Sequence, residues 1–191
     1  MIYLLRHGQT EFNREGRYQG ALDSPLTDLG RAQAAGMGAR LKALIGDPAG
    51  WLLQSSPLGR ARATAEIVRA ALGVHDIVIE PRLREITLGA WDGLTGVDID
   101  EQYPGARDGA GRYGWLFRAP GGESFEALTA RLKHWLDDAR VDRRPRVVVS
   151  HGITGRALCA LVLGTTMEGA RLGATPQDSI FRITASAVNA V

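Results

Sequence analysis

One cysteine stands in the 191 residues, Cys159, so no disulfide can form within the chain, and a reducing compartment suits it best. Lysine is almost missing: Lys42 and Lys133 are the only two, and the rest of the basic charge is arginine. The 23 basic residues are nearly balanced by 21 acidic ones, so bulk electrostatics call for no polyanionic partner. Histidine is scarce as well. His7, His75, His134 and His151 include no pair at the spacing of a helical metal site, which argues against a metal hydrolase. There is no GxxxxGK loop to cradle a nucleotide and no long apolar run to cross a membrane. Met1 leads into "IYLL" without the basic start of a secretory signal, so a cytoplasmic location is expected. Repeats, low-complexity tracts and long linkers are absent, and the length suits a single domain over 1–191 with a core of its own.

What is present alternates between strand and helix patterns. Ile2–Leu5, Trp51–Gln54, Ile77–Ile79, Arg146–Ser150 and Ser179–Thr184 read as short strands. Leu29–Ile45 reads as a helix with Thr27 as its N-cap. Ala61, Ala65, Val68 and Leu72 share a helical face, as do Phe125, Leu128, Leu132, Trp135 and Leu136. Another helix runs through Ala157–Leu163, where Cys159 reads as a core thiol. Residues 95–122 are rich in glycine and aromatics with weak periodicity and predict an irregular excursion. The alternation implies an α/β fold around a mostly parallel sheet covered on both faces, with ligands beyond the carboxyl ends of the strands.

Two of those strands end alike, as "YLLRHG" and "VVVSHG". Each delivers a histidine and a glycine where an α/β sheet binds its ligand. Burying Arg6 and His7 unpaired is costly, so either they reach water or an anion sits beside them. Between the two strand ends lie "SSPLGRARATAE" and "LREITLGAWDG".

Taken in order, RHGQTEFN, RYQGALDSPLTDLGRAQA, SSPLGRARATA, LREITLGAWDG, PGGESFEAL and VVVSHGITGRAL resemble the histidine phosphatase superfamily, in the branch that holds cofactor-dependent phosphoglycerate mutases and many small phosphatases. The resemblance implies a three-layer α/β/α domain with its pocket at the C-terminal edge of the sheet. By position it makes His7 the histidine that is phosphorylated, Arg6 and Arg60 the phosphoryl clamp, His151 the second pocket histidine and Glu85 the proton donor. Asn13, Gln19, Gly20 and Gly152 line the same pocket by the same matching. It further implies a metal-independent phosphomonoesterase that needs no cofactor and acts on a small phosphate ester, not on nucleic acid or membrane.

Those roles agree with the chemistry. Phosphoryl transfer needs an in-line nucleophile and positive donors around the equatorial oxygens. Neutral imidazole is such a nucleophile, and neighbouring cations help keep His7 unprotonated. A protonated His151 is expected to add a third donor beside the arginine forks. Glu85 can protonate the leaving oxygen and then accept a proton from water.

A phosphoglycerate mutase and a non-catalytic phospholigand-binding protein are the alternatives. Against the first, Ile86–Leu88 stand where mutases carry a basic and aromatic signature; against the second, binding alone requires neither His7 nor Glu85. The chain departs from the family pattern at Ile153, where a second glycine is frequent, and at Ala63, where glutamine is frequent. Glu123 reads equally as a pocket residue or as part of a helix start with Ser124. Tyr103, Arg107, Arg112, Tyr113, Trp115 and Arg118 read equally as pocket lining or surface. "RVDRRPR" reads as a solvated helix end, and His75 and His134 as surface residues.

Overall fold

In the computed structural model, which describes residues 1–170, 172 and 176–191, β1 (Ile2–Arg6) and β4 (Arg146–Ser150) pair in parallel with Arg6 opposite Ser150. That register sets His7 and His151 side by side at the same edge. β2 (Leu52–Ser55) flanks β4 on its other side, and β3 (Ile77–Ile79) completes a four-stranded parallel run. β5 (Ile180–Ile183) and β6 (Val188–Ala190) extend the sheet antiparallel, giving the order β3-β2-β4-β1-β5-β6.

Strand side chains alternate between the two faces, and the core divides accordingly. Tyr3, Leu5, Val147 and Val149 pack with Met37 and Leu41 of α2 (Asp28–Ile45) and with Ala61, Ala65 and Val68 of α3 (Gly59–Leu72). Ile2, Leu4 and Val148 pack with Leu128, Leu132 and Trp135 of α6 (Phe125–Asp142) and with Ala157 and Leu158 of α7 (Gly152–Leu163). The architecture is the expected α/β/α sandwich. Burial of a fully enclosed core leucine such as Leu5 contributes roughly 1.5–3 kcal/mol.

Local chemistry sets the boundaries. The Thr27 hydroxyl accepts from Gly30 N at 3.0 Å, which caps α2 as the sequence predicts. Gly30 serves a second purpose. A Cβ there would lie 2.0 Å from Gln9 O, and one on Gly8 would lie 2.2 Å from Gly30 O. Only glycine at both positions lets the turn after β1 rest on the start of α2, and that contact fixes the backbone beside His7. The "RVDRRPR" run is a helix end: Arg143 closes α6 in the left-handed conformation, and Arg144 and Arg146 both pair with Asp142.

The structure departs from the sequence reading in several places. β2 is shifted one residue, to Leu52–Ser55. α7 begins at Gly152, directly after His151, because its N-terminal amides find the Glu85 carboxylate. The excursion after Leu94 holds two short helices, α4 (Gly96–Gln102) and α5 (Gly111–Gly114), and a 3-10 turn at Trp115–Arg118. None is long enough to produce a readable period. A helical turn α1 (Glu11–Arg14) and the edge strand β6 also went without a sequence signal.

Candidate active site

The C-terminal edge of the parallel strands opens onto a cavity of about 490 Å³. Arg6, His7, Asn13, Gln19, Gly20, Arg60, Glu85 and Gly152 all line it. His151 is placed differently: it is buried behind that lining, with its ring centre 5.2 Å from that of His7. The sequence-derived set is thus brought together, with eight members on the cavity wall and the ninth behind it.

His7 is held at both its backbone and its ring. Its amide donates to Ser150 O at 3.0 Å, and its Nδ1 lies 2.8 Å from Gly8 O. A carbonyl can only accept, so Nδ1 carries the hydrogen and Nε2 keeps its lone pair. Burial, then the positive charges of Arg60 and Arg6, hold the His7 pKa well below the ordinary histidine value. The ring is neutral.

Burial and Arg60 also depress His151 strongly, with His7 and Arg6 adding to the effect. For the free site this corrects the expectation of a protonated His151, because burial and the two arginines disfavour a third cation there. His151 Nε2 lies 2.6 Å from Ser56 Oγ, and its Nδ1 is buried without a partner among the described residues.

Arg60 occupies the first turn of α3, whose N-cap position, Leu58, offers no side-chain acceptor. Asp23 supplies one from a distant loop, accepting from Gly59 N at 2.5 Å and from Arg60 N at 3.2 Å. The Arg60 guanidinium donates to Asp23, Leu22 O and Gly20 O, which leaves its buried Nε free among the described groups. Gly20 adopts φ +52° and packs on Asp92 with no room for a Cβ, so the carbonyl that orients Arg60 depends on glycine. Burial lowers the Arg6 pKa, an effect opposed by Glu85.

The N-terminus of α7 grips Glu85. Ile153 N donates to Oε2 at 3.1 Å, and Thr154 N donates to Oε1 at 3.0 Å, with Thr154 Oγ1 2.9 Å from the same oxygen. Ile153, the departure from a second glycine, therefore serves the site through its backbone amide. Asn13 sits in a capping box with Thr10, and its Oδ1 accepts from Gln177 Nε2 at 2.9 Å.

Glu123 does not line the cavity. Its buried carboxylate takes both arms of Arg131 at 2.8 Å and Arg84 at 2.9 Å, while Ser124 caps α6. Of the excursion residues, Arg112 and Tyr113 line the cavity. Tyr103 and Trp115 pack on Trp91, Arg107 pairs with Asp100, and Arg118 binds backbone carbonyls. His75 and His134 are exposed, and burial raises the Cys159 thiol to about 12. Arg17, Tyr18, Leu88, Leu116 and Arg156 complete much of the wall without having been singled out in the sequence. Arg156 did carry a signal, as a lone charge in the apolar helix "GITGRALCALVL".

Among the described residues no group of three or more His, Cys, Asp or Glu side chains is arranged to hold a metal ion. No described helix is long and apolar enough to cross a membrane.

The two buried histidines make stability pH-dependent. Their folded pKa values lie below the unfolded value of 6.5, so the unfolded chain binds more protons in acid. Their contribution is complete above that value and is lost as the pH falls below it, at about 1.4 kcal/mol per pH unit for each ring. In urea unfolding between pH 6 and 5, His7→Asn should flatten the slope of stability against pH by about that amount. Equal slopes for the two proteins would show that His7 titrates normally.

Comparison with known proteins agrees with this geometry. Residues 2–187 match the model of the histidine phosphatase superfamily, branch 1, and the chain belongs to that family. A probable phosphoglycerate mutase, GpmB, of Shigella boydii serotype 18 is 37% identical over 193 residues, spanning 95% of this chain and 83% of that one. A mycobacterial glucosyl-3-phosphoglycerate phosphatase complexed with VO3 is 32% identical with a TM-score of 0.79, covering 100% of this chain and 95% of that one. A protein described as mycobacterial hydrolase 1 is 35% identical with a TM-score of 0.80, over 94% and 89% of the two chains.

Proposed function

We propose that residues 1–191 form one domain that works in the cytoplasm as a metal-independent phosphomonoesterase, using a phosphohistidine at His7 and acting on a small phosphate ester. The observation that carries this reading is the His7 ring, neutral and with Nε2 unprotonated, on the wall of a cavity that Arg6, Arg60 and Glu85 also line. Nε2 attacks phosphorus, and the P–O bond to the alcohol breaks. The electron pair leaves on that oxygen, which takes the proton of Glu85. Water then attacks the phosphohistidine, Glu85 accepts its proton, and the N–P bond breaks to regenerate the neutral ring.

Arg6 and Arg60 balance the charge on the equatorial oxygens, the task a bound metal performs in other phosphoryl-transfer sites. Asn13, Gln19, Gly20 and Gly152 shape the wall around the phosphoryl group. The balanced surface charge and the internally paired "RVDRRPR" segment support no nucleic-acid partner.

A mutase is the second reading, favoured by the name of the GpmB relatives. Phosphate release from a panel of phosphometabolites, measured beside isomerisation of 3-phosphoglycerate, separates the two. Sustained phosphate release that survives exhaustive chelation is the expected result. Rapid isomerisation with negligible phosphate release would reverse the ranking, and activity lost in chelator but restored by a divalent cation would overturn the metal-free mechanism.

A further inference from the structure

Ser56 follows β2, where its amide donates to Val149 O at 3.0 Å. Both it and His151 are buried, and they meet across 95 residues of sequence through the pairing of β2 with β4. Hydroxyl and imidazole approach to 2.6 Å at Nε2, too close for anything but a hydrogen bond. Which of the two donates is a question of bookkeeping for protons.

Ser56 Oγ has one hydrogen to give and can accept twice. One acceptor position faces Leu58 N, 3.3 Å away. If His151 carried its hydrogen on Nε2, that hydrogen would point at Ser56, whose own proton would then need another acceptor. None is given by the described neighbours, and His151 Nδ1 would be a bare lone pair in a buried site. If the hydrogen lies on Nδ1 instead, Ser56 donates to Nε2 and accepts from Leu58. The sole unmatched group is then the Nδ1–H of a ring whose centre lies 5.2 Å from that of His7. An oxyanion satisfies that group.

We propose that Ser56 is a positioning residue: by donating to Nε2 it holds His151 in the Nδ1–H tautomer, so that a neutral imidazole donates a hydrogen bond to the phosphoryl group carried by His7. The assignment rests on the phosphatase reading for its ligand, though not for its tautomer. It resolves the tension left by the correction above, because His151 remains a donor without needing a second proton. A neutral donor also spares the site a further cation next to Arg6 and Arg60.

Imidazole 15N spectroscopy of the wild-type protein with bound orthovanadate tests this directly. Two of the four histidines are exposed, and a His7→Asn variant assigns the remaining pair. His151 should show a protonated Nδ1 and a bare Nε2. In Ser56→Ala the hydrogen should move to Nε2, and kcat for p-nitrophenyl phosphate should fall about 10²-fold, the scale of one lost preorganised donor. Ser56→Thr should restore both.

A protonated Nε2 in the wild type overturns the proposal, as does a Ser56→Ala protein with unchanged tautomer or unchanged kcat. The wild-type spectrum decides the tautomer even if the alanine variant fails to fold. Absence of any phosphoenzyme would instead remove the functional reading while leaving the tautomer measurement intact.

Discussion

Replacing His7 with alanine should abolish phosphatase turnover, by on the order of 10⁶-fold, the scale seen when a covalent nucleophile is removed. The basis is positional as well as chemical. Nδ1 is committed to Gly8 O, so Nε2 is the only ring nitrogen able to attack, and no other described residue offers an unprotonated imidazole to the cavity. Rapid quenching with labelled substrate should trap a phosphoprotein that is stable to base and labile to acid in the wild type. The alanine variant should give none. Label that persists in it would place the nucleophile elsewhere and would sink the mechanism. The cavity should otherwise survive, since Arg6, Arg60 and Glu85 keep their own partners, so the variant should still bind orthovanadate, though more weakly.

Glu85→Gln should slow phosphorylation by an alkyl phosphate about 10²–10⁴-fold, the range for loss of a general acid. The same change should cost p-nitrophenyl phosphate far less, because p-nitrophenolate leaves without being protonated. Single-turnover measurements are needed, since Glu85 also receives the proton of water in the second half-reaction. The glutamine amide must share the acceptor sites now facing Ile153 N, Thr154 N and Ile86 N, and its NH₂ cannot accept from them. A modest structural cost is therefore expected for both substrates. The contrast between them carries the information. Equal losses would mean that Glu85 orients Arg6 or shapes the wall. Glu123 could not then take over as the acid without a rearrangement, because Arg131 and Arg84 hold its carboxylate off the cavity.

The two candidate histidines were legible because they fall where strands end. A histidine and a glycine after an apolar strand are visible in one dimension, and the alternation of elements says which edge they occupy. His7 and His151 stand out on that ground alone, whereas Arg60, Glu85 and Asn13 are singled out only through the family motifs that contain them. What the sequence concealed was the matching of partners. Asp23 caps α3 from 36 residues away, and Ser56 meets His151 only because β2 lies beside β4. Serine and aspartate at such positions look like ordinary turn residues until the sheet order is known. The protonation state of His151 was misread for a related reason. Burial is the first cause that lowers the His151 pKa, and burial is a property of the assembled layers. The excursion after Leu94 hid its short helices because four to seven residues make at most two turns, too few to show a period.

β4 lies between β1 and β2, although it begins 140 residues after Arg6 and 91 after Ser55. Until residues 146–150 are inserted, the two strands that carry Arg6 and lead into Ser56 have no common neighbour, and the sheet is divided at its centre. The N-terminal hundred residues can collapse around α2 and α3, but they hold an unfilled slot where the middle strand belongs. Closing it is a long-range event that pays its loop entropy late. A nascent chain stalled before Arg146 would thus hold His7, Arg6, Arg60 and Glu85 without the strand that brings them into register. Catalytic competence and completion of the sheet should emerge together in refolding, with phosphoenzyme formation a direct clock for the insertion of that one strand.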